Sequence, residues 1–149
     1  MDTFWSKDVL ESLETCQNFL CLSDKAIRVL EKMQPGPVAQ VCGPISTGGL
    51  GSIEKNLAVL NNAVKNLKAR GLTVFEQHPL EKHIRRLCDA EMFEAYKKGD
   101  MRLLEEIYLP IFKSGYIHEL HFVPLWNTSI GTAWEHEQAI LLGLKIEYL

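Results

Sequence analysis

The stretch that most constrains the fold is a strand–helix–strand pattern over residues 38–77. A short apolar segment, VAQVC at residues 38–42, runs into a glycine-rich loop, and the helical pattern SIEKNLAVLNNAVKNLKARG follows. Ser52 can cap this helix and Gly71 can end it. LTVFEQ at residues 72–77 then predicts a second strand. Because the connection between the two strands is a helix, the pattern predicts a βαβ unit with parallel strands.

The rest of the chain continues this alternation. LHFVPLW at residues 120–126 predicts a third strand, the segment that follows predicts a helix, and the closing LKIEYL predicts a final short strand. Residues 79–118 predict helices with a turn near KKGD at 97–100. Strands that alternate with helices predict an α/β fold: a small doubly wound parallel sheet of the flavodoxin or Rossmann kind, with four or five strands.

Residues 1–36 predict a helical arm in front of the first strand. Apolar residues recur there at three-to-four spacing, which is typical of an amphipathic helix. Ser23 is expected to cap a second helix from Asp24 to Met33, which QPGP then ends. We therefore predict one compact chain that consists of an N-terminal helical arm, residues 1–36, and an α/β domain, residues 37–149.

Composition excludes several classes of function. A formal net charge of −3 gives no sign of nucleic-acid polymers as partners, and no run of about 18 apolar residues predicts a membrane span. None of the four cysteines forms a CxxC pair, and no Cys or His spacing matches a metal site. We expect reduced thiols in a cytoplasmic protein that uses no metal or other cofactor.

Two loops follow predicted strands on the side where parallel sheets bind ligands, beyond the carboxyl ends. The first, CGPISTGGLG at residues 42–51, has glycines that let backbone N–H groups approach a ligand, and Ser46 and Thr47 add hydroxyls. It is neither a Walker loop nor GxGxxG. Two interpretations stay open: contact with a ligand, or turn chemistry alone.

The second loop, WNTSIG at residues 126–131, leads into the last helix. Thr132-x-x-Glu135 has the spacing of a capping box, in which the hydroxyl and the carboxylate satisfy backbone amides at the helix start. Glu135 is therefore either the partner in a cap or a functional carboxylate. Glu137 is expected to be a solvated carboxylate, and Trp126 and Trp134 to be packing residues.

A set of positions spread over both loops carries a resemblance to a known family. The order and spacing of these residues resemble the nucleoside 2-deoxyribosyltransferase-like superfamily, and look closest to its DUF4406-like branch. The resemblance covers roughly residues 38–149. The matching positions are CGPIS at 42–46, Asn56, Ala63, Leu67, Gly71, Val74, Trp126, Ser129, Gly131, Glu135, Ala139 and Gly143.

The resemblance implies cleavage of the N-glycosidic bond of a nucleoside or nucleoside 5′-monophosphate, by hydrolysis or by deoxyribosyl transfer. Glu135 falls on the family's nucleophile, and Ser129 on a position that contacts a 5′-phosphate. The resemblance also implies a homodimer or higher homo-oligomer. The expected binding residues besides Ser129 are Gly43, Pro44, Ile45, Ser46, Asn127 and Gly131.

The chain departs from the family pattern in two respects: it lacks the usual Asp at the head of the third strand, where His118 and Glu119 lie, and it lacks a second Asp. Family enzymes usually carry an Asp upstream of the third strand, where it helps to protonate the leaving base, and residues 105–122 contain no Asp. Tyr108, Glu105, Glu106 and Glu119 are the residues near that place. The alternative hypothesis is therefore a non-catalytic module that binds or senses a nucleotide in the same pocket.

Overall fold

A computed structural model describes residues 4–149, which form two compact units. One unit is helical and comprises residues 4–35 and 77–116, and the other is an α/β unit of residues 36–76 and 117–149. The predicted boundary between residues 36 and 37 stays a prediction. The seven α-helices within residues 4–149 are α1 (Lys7–Glu14), α2 (Phe19–Lys32), α3 (Ile53–Ala69), α4 (His78–Leu87), α5 (Ala90–Lys97), α6 (Arg102–Lys113) and α7 (Ile130–Leu142).

The α/β unit is built on one parallel sheet. Its strands are β1 (Val38–Cys42), β2 (Thr73–Val74), β3 (Glu119–Phe122) and β4 (Lys145–Tyr148), in the order β2–β1–β3–β4. All three strand pairs are parallel. The prediction of a small doubly wound parallel α/β fold is confirmed, with four strands.

Helices α3 and α7 cover opposite faces of this sheet. Side chains alternate along a strand, so neighbouring residues of β1 meet different helices. Val41 packs with Leu60 and Leu67 of α3, whereas Cys42, the next residue along, contacts Glu135 of α7. As expected, α3 begins after Ser52, whose hydroxyl accepts a hydrogen bond from the Lys55 N–H.

In the helical unit the first two helices differ from the prediction. α1 ends at Glu14, and α2 begins at Phe19 with Asn18 as its cap, since the Asn18 side chain accepts from the Cys21 N–H at 2.8 Å. The prediction that Ser23 caps the second helix is therefore wrong. Ser23 is buried inside α2, and its hydroxyl donates to backbone carbonyls of α6.

The contact of Ser23 with α6 coincides with a proline in that helix. Pro110 has no N–H, so the carbonyl of Glu106, four residues earlier, loses its usual helical donor. The Ser23 hydroxyl lies 3.2 Å from that carbonyl oxygen and also contacts the carbonyl of Ile107. A side chain of α2 thus takes the place of the missing backbone donor.

Two of the four cysteines form a disulfide. Cys16 and Cys21 are bonded, with their Cα atoms 5.5 Å apart, and Cys42 and Cys88 are free thiols. The expectation that all cysteines are reduced is therefore wrong for Cys16 and Cys21. The bond links the residues just after α1 to the first turn of α2. Arg86 of α4 donates to the Cys16 carbonyl at 3.0 Å in the same region.

The predicted third strand is longer than the observed one. β3 ends at Phe122, and the chain then turns through Leu125, which has φ 69°, into a 3-10 turn at Trp126–Thr128. Pro124 cannot donate a ladder hydrogen bond, which favours an end to the strand here. No helix within residues 4–149 combines the length and the apolar character needed to cross a bilayer.

Candidate functional site

The candidate site lies where the strand order reverses. From β1 the chain crosses to β2 on one side, and β3 pairs with β1 on the other side. In open parallel sheets ligands bind in the crevice at such a reversal, beyond the carboxyl ends of the two strands. The loops that follow β1 and β3, residues 43–52 and 123–129, occupy this position.

These two loops are joined by hydrogen bonds. The Gly49 N–H donates to the Thr128 hydroxyl at 2.7 Å, and the Ile130 N–H donates to the Thr47 hydroxyl at 3.2 Å. The Thr47 and Ser129 hydroxyl oxygens are 3.1 Å apart. The predicted convergence of the two loops is confirmed, and their hydroxyls bind each other.

Asn56 organises the first loop from the first turn of α3. Its side-chain Nδ2 donates to the carbonyls of Ile45 and Gly48 at 3.0 and 3.2 Å, and its Oδ1 accepts from the Leu50 N–H at 2.9 Å. Asn56 is buried. Sequence reasoning noted this residue but gave it no role; a buried amide at a helix start beside a glycine-rich loop was the available signal.

Two glycines of the first loop are required by close approach. Gly48 and Gly49 both have φ +65°, in the left-handed region that favours glycine. A Cβ on Gly48 would collide with the carbonyl of Thr128, and one on Gly49 would collide with the Asn56 side chain. Loop packing therefore accounts for both glycines.

The N-terminus of α7 is capped by Ser129, whose hydroxyl accepts from the Thr132 N–H at 3.4 Å. The predicted capping box on Thr132 and Glu135 is wrong, because Thr132 lies inside the helix and is buried. Glu135 therefore sits in the second turn, beyond the cap.

The carboxylate of Glu135 contacts the strand beneath it. Glu135 is half-buried, and its Oε2 accepts from Gln40 Nε2 at 3.4 Å and from Cys42 Sγ at 3.6 Å. Burial first, and then the neighbouring Glu135 carboxylate, hold the pKa of the Cys42 thiol well above its usual range. The thiol thus stays protonated and remains a donor at neutral pH.

Sequence reasoning missed the roles of Gln40 and Cys42. All five residues of β1 are buried, and Gln40 is the one polar amide among them. A central strand of a parallel sheet is buried on both faces and usually reads as an apolar run. A glutamine within such a run was the signal that could have identified it.

The predicted binding residues divide by burial. Gly43, Pro44, Ser129 and Gly131 are buried, Ile45 is half-buried, and Ser46 and Asn127 are exposed. Gly43 directly follows β1, at a point where a Cβ would collide with side chains of Val123 and Leu60. All seven lie on the two loops or on the first turn of α7, at one edge of the sheet.

An aromatic cluster borders the second loop. The Trp126 ring stacks on His136 with centroids 4.1 Å apart, and Phe122 meets His136 edge-on at 5.0 Å. Tyr148 completes the cluster, with its hydroxyl 2.7 Å from His136 Nε2. Trp126 thus packs against protein rings. Trp134 is buried and Glu137 is exposed, as expected.

The residues near the expected place of the missing Asp divide between the two units. Tyr108 belongs to the helical unit, where its hydroxyl donates to Glu81 at 3.3 Å. Glu105 and Glu106 are exposed on α6. Glu119 pairs with His121 at 2.8 Å, and the strand register puts both beside Ala39 and Val41, on the face opposite Glu135.

Within residues 4–149, no three His, Cys, Asp or Glu side chains lie close enough together to hold a metal ion. No family model matches the chain, and neither a curated protein nor a solved structure is significantly similar to it.

Proposed function

We propose that this protein cleaves the N-glycosidic bond of a nucleoside or a nucleoside 5′-monophosphate, with Glu135 as the nucleophile. The observation that supports this most is the position of the Glu135 carboxylate. It lies at the carboxyl end of β1, where the strand order reverses, and two donors from the strand hold it there. The two joined loops lie at the same edge.

The chemistry suits a single held carboxylate. Glycoside cleavage passes through an oxocarbenium-like transition state, whose positive charge a carboxylate stabilises and whose C1′ atom it can attack. Attack by Glu135 forms a glycosyl ester and releases the base. Water then gives hydrolysis, and a second base gives transfer.

The loops supply neutral contacts for the substrate. Neither loop, residues 43–52 or 123–129, contains Lys or Arg. Gly43, Pro44, Ile45 and Ser46 would contact the sugar or base, together with Asn127 and Gly131. A 5′-phosphate would compete with the existing bonds of Thr47, Thr128 and Ser129. Nucleosides without phosphate are therefore the first substrates to test.

A second candidate, a nucleotide-binding module without turnover, rests on the missing acid. The α/β unit contains no Asp, in residues 36–76 or in residues 117–149. Glu119, the nearest candidate on β3, points to the other face of the sheet. Without such an acid, the leaving base would take its proton from water. If water does not protonate the base, the expected outcome is binding without cleavage.

The proposal includes a homodimer. The surface of α7 that faces away from the sheet carries Ile140 and Leu141, which are 62% and 70% exposed. Tyr148 and Leu149, at the end of the sheet, are exposed as well. Exposed apolar side chains favour contact with a second protein surface where they form a patch.

Turnover decides between the two candidates. A panel of ribo- and deoxyribonucleosides and their 5′-monophosphates is incubated with the protein, and free base is measured by chromatography. We expect base release by the unchanged protein and by Glu137→Gln, an exposed control on the same helix, but none by Glu135→Gln. Equal inactivity of the unchanged protein and Glu135→Gln would refute cleavage.

Binding is measured in parallel. A ligand that binds the folded chain raises its thermal midpoint by mass action. A raised midpoint with one nucleoside or nucleotide, without any free base after long incubation, supports the binding module. No shift and no base with the whole panel contradicts both candidates.

A further inference from the structure

We propose that Gln40 and Cys42 are positioning residues for Glu135, and that together they hold its Oε2 throughout the reaction. This proposal rests on the proposed function. It extends that function by assigning two residues of β1 that act on the substrate only through the nucleophile.

The geometry brings two donors to one oxygen. Gln40 Nε2 and Cys42 Sγ lie 3.4 and 3.6 Å from the same Glu135 Oε2. They occupy alternate positions of a strand that pairs with β2 on one side and β3 on the other. A central strand is a rigid support, so these donors fix the carboxylate more precisely than loop residues could.

Gln40 has no other role that the described residues account for. Its side chain is fully buried, its Oε1 has no hydrogen-bond partner within residues 4–149, and its Nε2 bonds to Glu135. A buried amide with an unpaired carbonyl destabilises a fold. Polar groups retained at such a cost in stability cluster at functional sites, which favours a role directed at Glu135.

Cys42 supplies a second hydrogen-bond donor to the Glu135 carboxylate. The thiol is fully buried, and its raised pKa keeps it protonated beside the carboxylate. A protonated thiol donates weakly to oxygen, whereas alanine or valine at this position would remove this donor to Oε2. The pair therefore suits an ionised carboxylate.

The two donors act on both chemical steps. In the first, a Glu135 oxygen bonds to C1′ while the C1′–N bond breaks, and the base leaves with the electron pair and takes a proton from water. In the second, a water oxygen bonds to C1′, the ester bond to Glu135 breaks, and its electron pair returns to the carboxylate. The attacking water gives up one proton, which neutralises the hydroxide that the first step left in solvent. Donors to Oε2 stabilise the returning carboxylate and thus speed the second step.

The test removes each donor without changing the carboxylate. Gln40→Leu and Cys42→Ala each delete one donor, while Cys42→Ser retains one. Titration of the Glu135 carboxyl by carbon-13 NMR, without substrate, reports the contact directly. We expect its midpoint to move to higher pH in Gln40→Leu and Cys42→Ala, and to move less in Cys42→Ser, because a lost donor disfavours the charged form.

Turnover adds a second readout. Losing one hydrogen bond to a charged group is expected to lower turnover by about 10- to 100-fold. Because the second step slows more than the first, the glycosyl ester on Glu135 should accumulate, visible as added mass on the intact protein. Gln17→Leu and Cys88→Ala, outside the α/β unit, serve as controls and should change neither readout.

The outcomes separate the two proposals. Unchanged titration midpoints in both donor-deleting variants of an active protein overturn the positioning role and leave the proposed function intact. If the protein without substitutions cleaves no substrate, the proposed function is overturned. The catalytic part of this inference then falls with it, even if the titration midpoints shift in the variants. Gln40→Met, which also removes the donor, replaces Gln40→Leu where that variant fails to fold.

Discussion

The two faces of β1 differ, although all five of its residues are buried. Toward α3, Val41 joins an apolar cluster with Leu60, Leu67, Val74 and Val123. Toward α7, a fully buried amide and a fully buried thiol contact a carboxylate.

One strand thus carries two kinds of contact at a spacing of one residue. Apolar packing gains from removing hydrocarbon from water, whereas a buried amide with an unpaired oxygen weakens the fold. We infer that the α3 face supplies stability and that the α7 face gives up some stability to hold Glu135. The following predictions test that difference.

The largest expected effect is on the apolar face. Leu67→Ala should lower the free energy of unfolding by about 2–5 kcal/mol, because Leu67 is buried in the α3 cluster and its loss leaves a cavity. Urea unfolding measures the change. Leu20→Ala, at a position that is 60% exposed on α2 and outside the proposed dimer surface, is the matched control and should have little effect. Equal losses in the two variants would contradict the division between the faces.

The next effect concerns the loop above the site. Gly48→Ala should lower the free energy of unfolding by about 2–4 kcal/mol, because it combines an unfavourable positive φ with a collision against Thr128. Gly51 also has a positive φ, +88°, but apart from its chain neighbours no atom lies within 4 Å of the point where a Cβ would lie. Substitution there measures the cost of the backbone conformation without a collision. Gly51→Ala should therefore lose only about 1–2 kcal/mol. A smaller loss at Gly48 than at Gly51 would mean that the two loops are not packed as described.

The smallest effect carries the opposite sign. Gln40→Leu should leave the free energy of unfolding unchanged or raise it by up to about 1 kcal/mol, because it removes a buried unpaired carbonyl. Val41→Asn, the reverse exchange at the next residue, should lower it by about 1–3 kcal/mol. Both are measured by urea unfolding. A large loss in Gln40→Leu would show that the amide supports the fold.

Local signals were sufficient to predict the architecture. Ser52 and Gly71 bound α3 as expected, and the alternation of strands and helices gave the parallel sheet. Parallel strands place their carboxyl ends at one edge, so the meeting of the two loops followed from topology alone.

Features that depend on residues distant in the sequence could not be predicted from local patterns. Ser23 and Asn18 are both capping types, and contacts of Ser23 with α6 help to explain why it lies inside α2. Thr132 and Glu135 had the right spacing for a cap, but Ser129 caps α7, next to Thr47 of the first loop. The partners in each case are more than 80 positions apart.

The same limit applies to the strand beneath the site. Gln40 and Glu135 are 95 positions apart, and no local pattern links them. The disulfide was missed for a different reason: the apolar spacing and the expected cap at Ser23 placed both cysteines in the first predicted helix, whereas α1 ends before Cys16.

The proline in α6 makes the effect of one substitution depend on another residue. Ser23 replaces the donor that Pro110 removes, so a proline at 110 without a serine at 23 would leave the Glu106 carbonyl without that donor. The pair is therefore epistatic. A chain that carries alanine at position 110 should tolerate Ser23→Ala better than this one does, and the two positions should be exchanged together when the helical unit is redesigned.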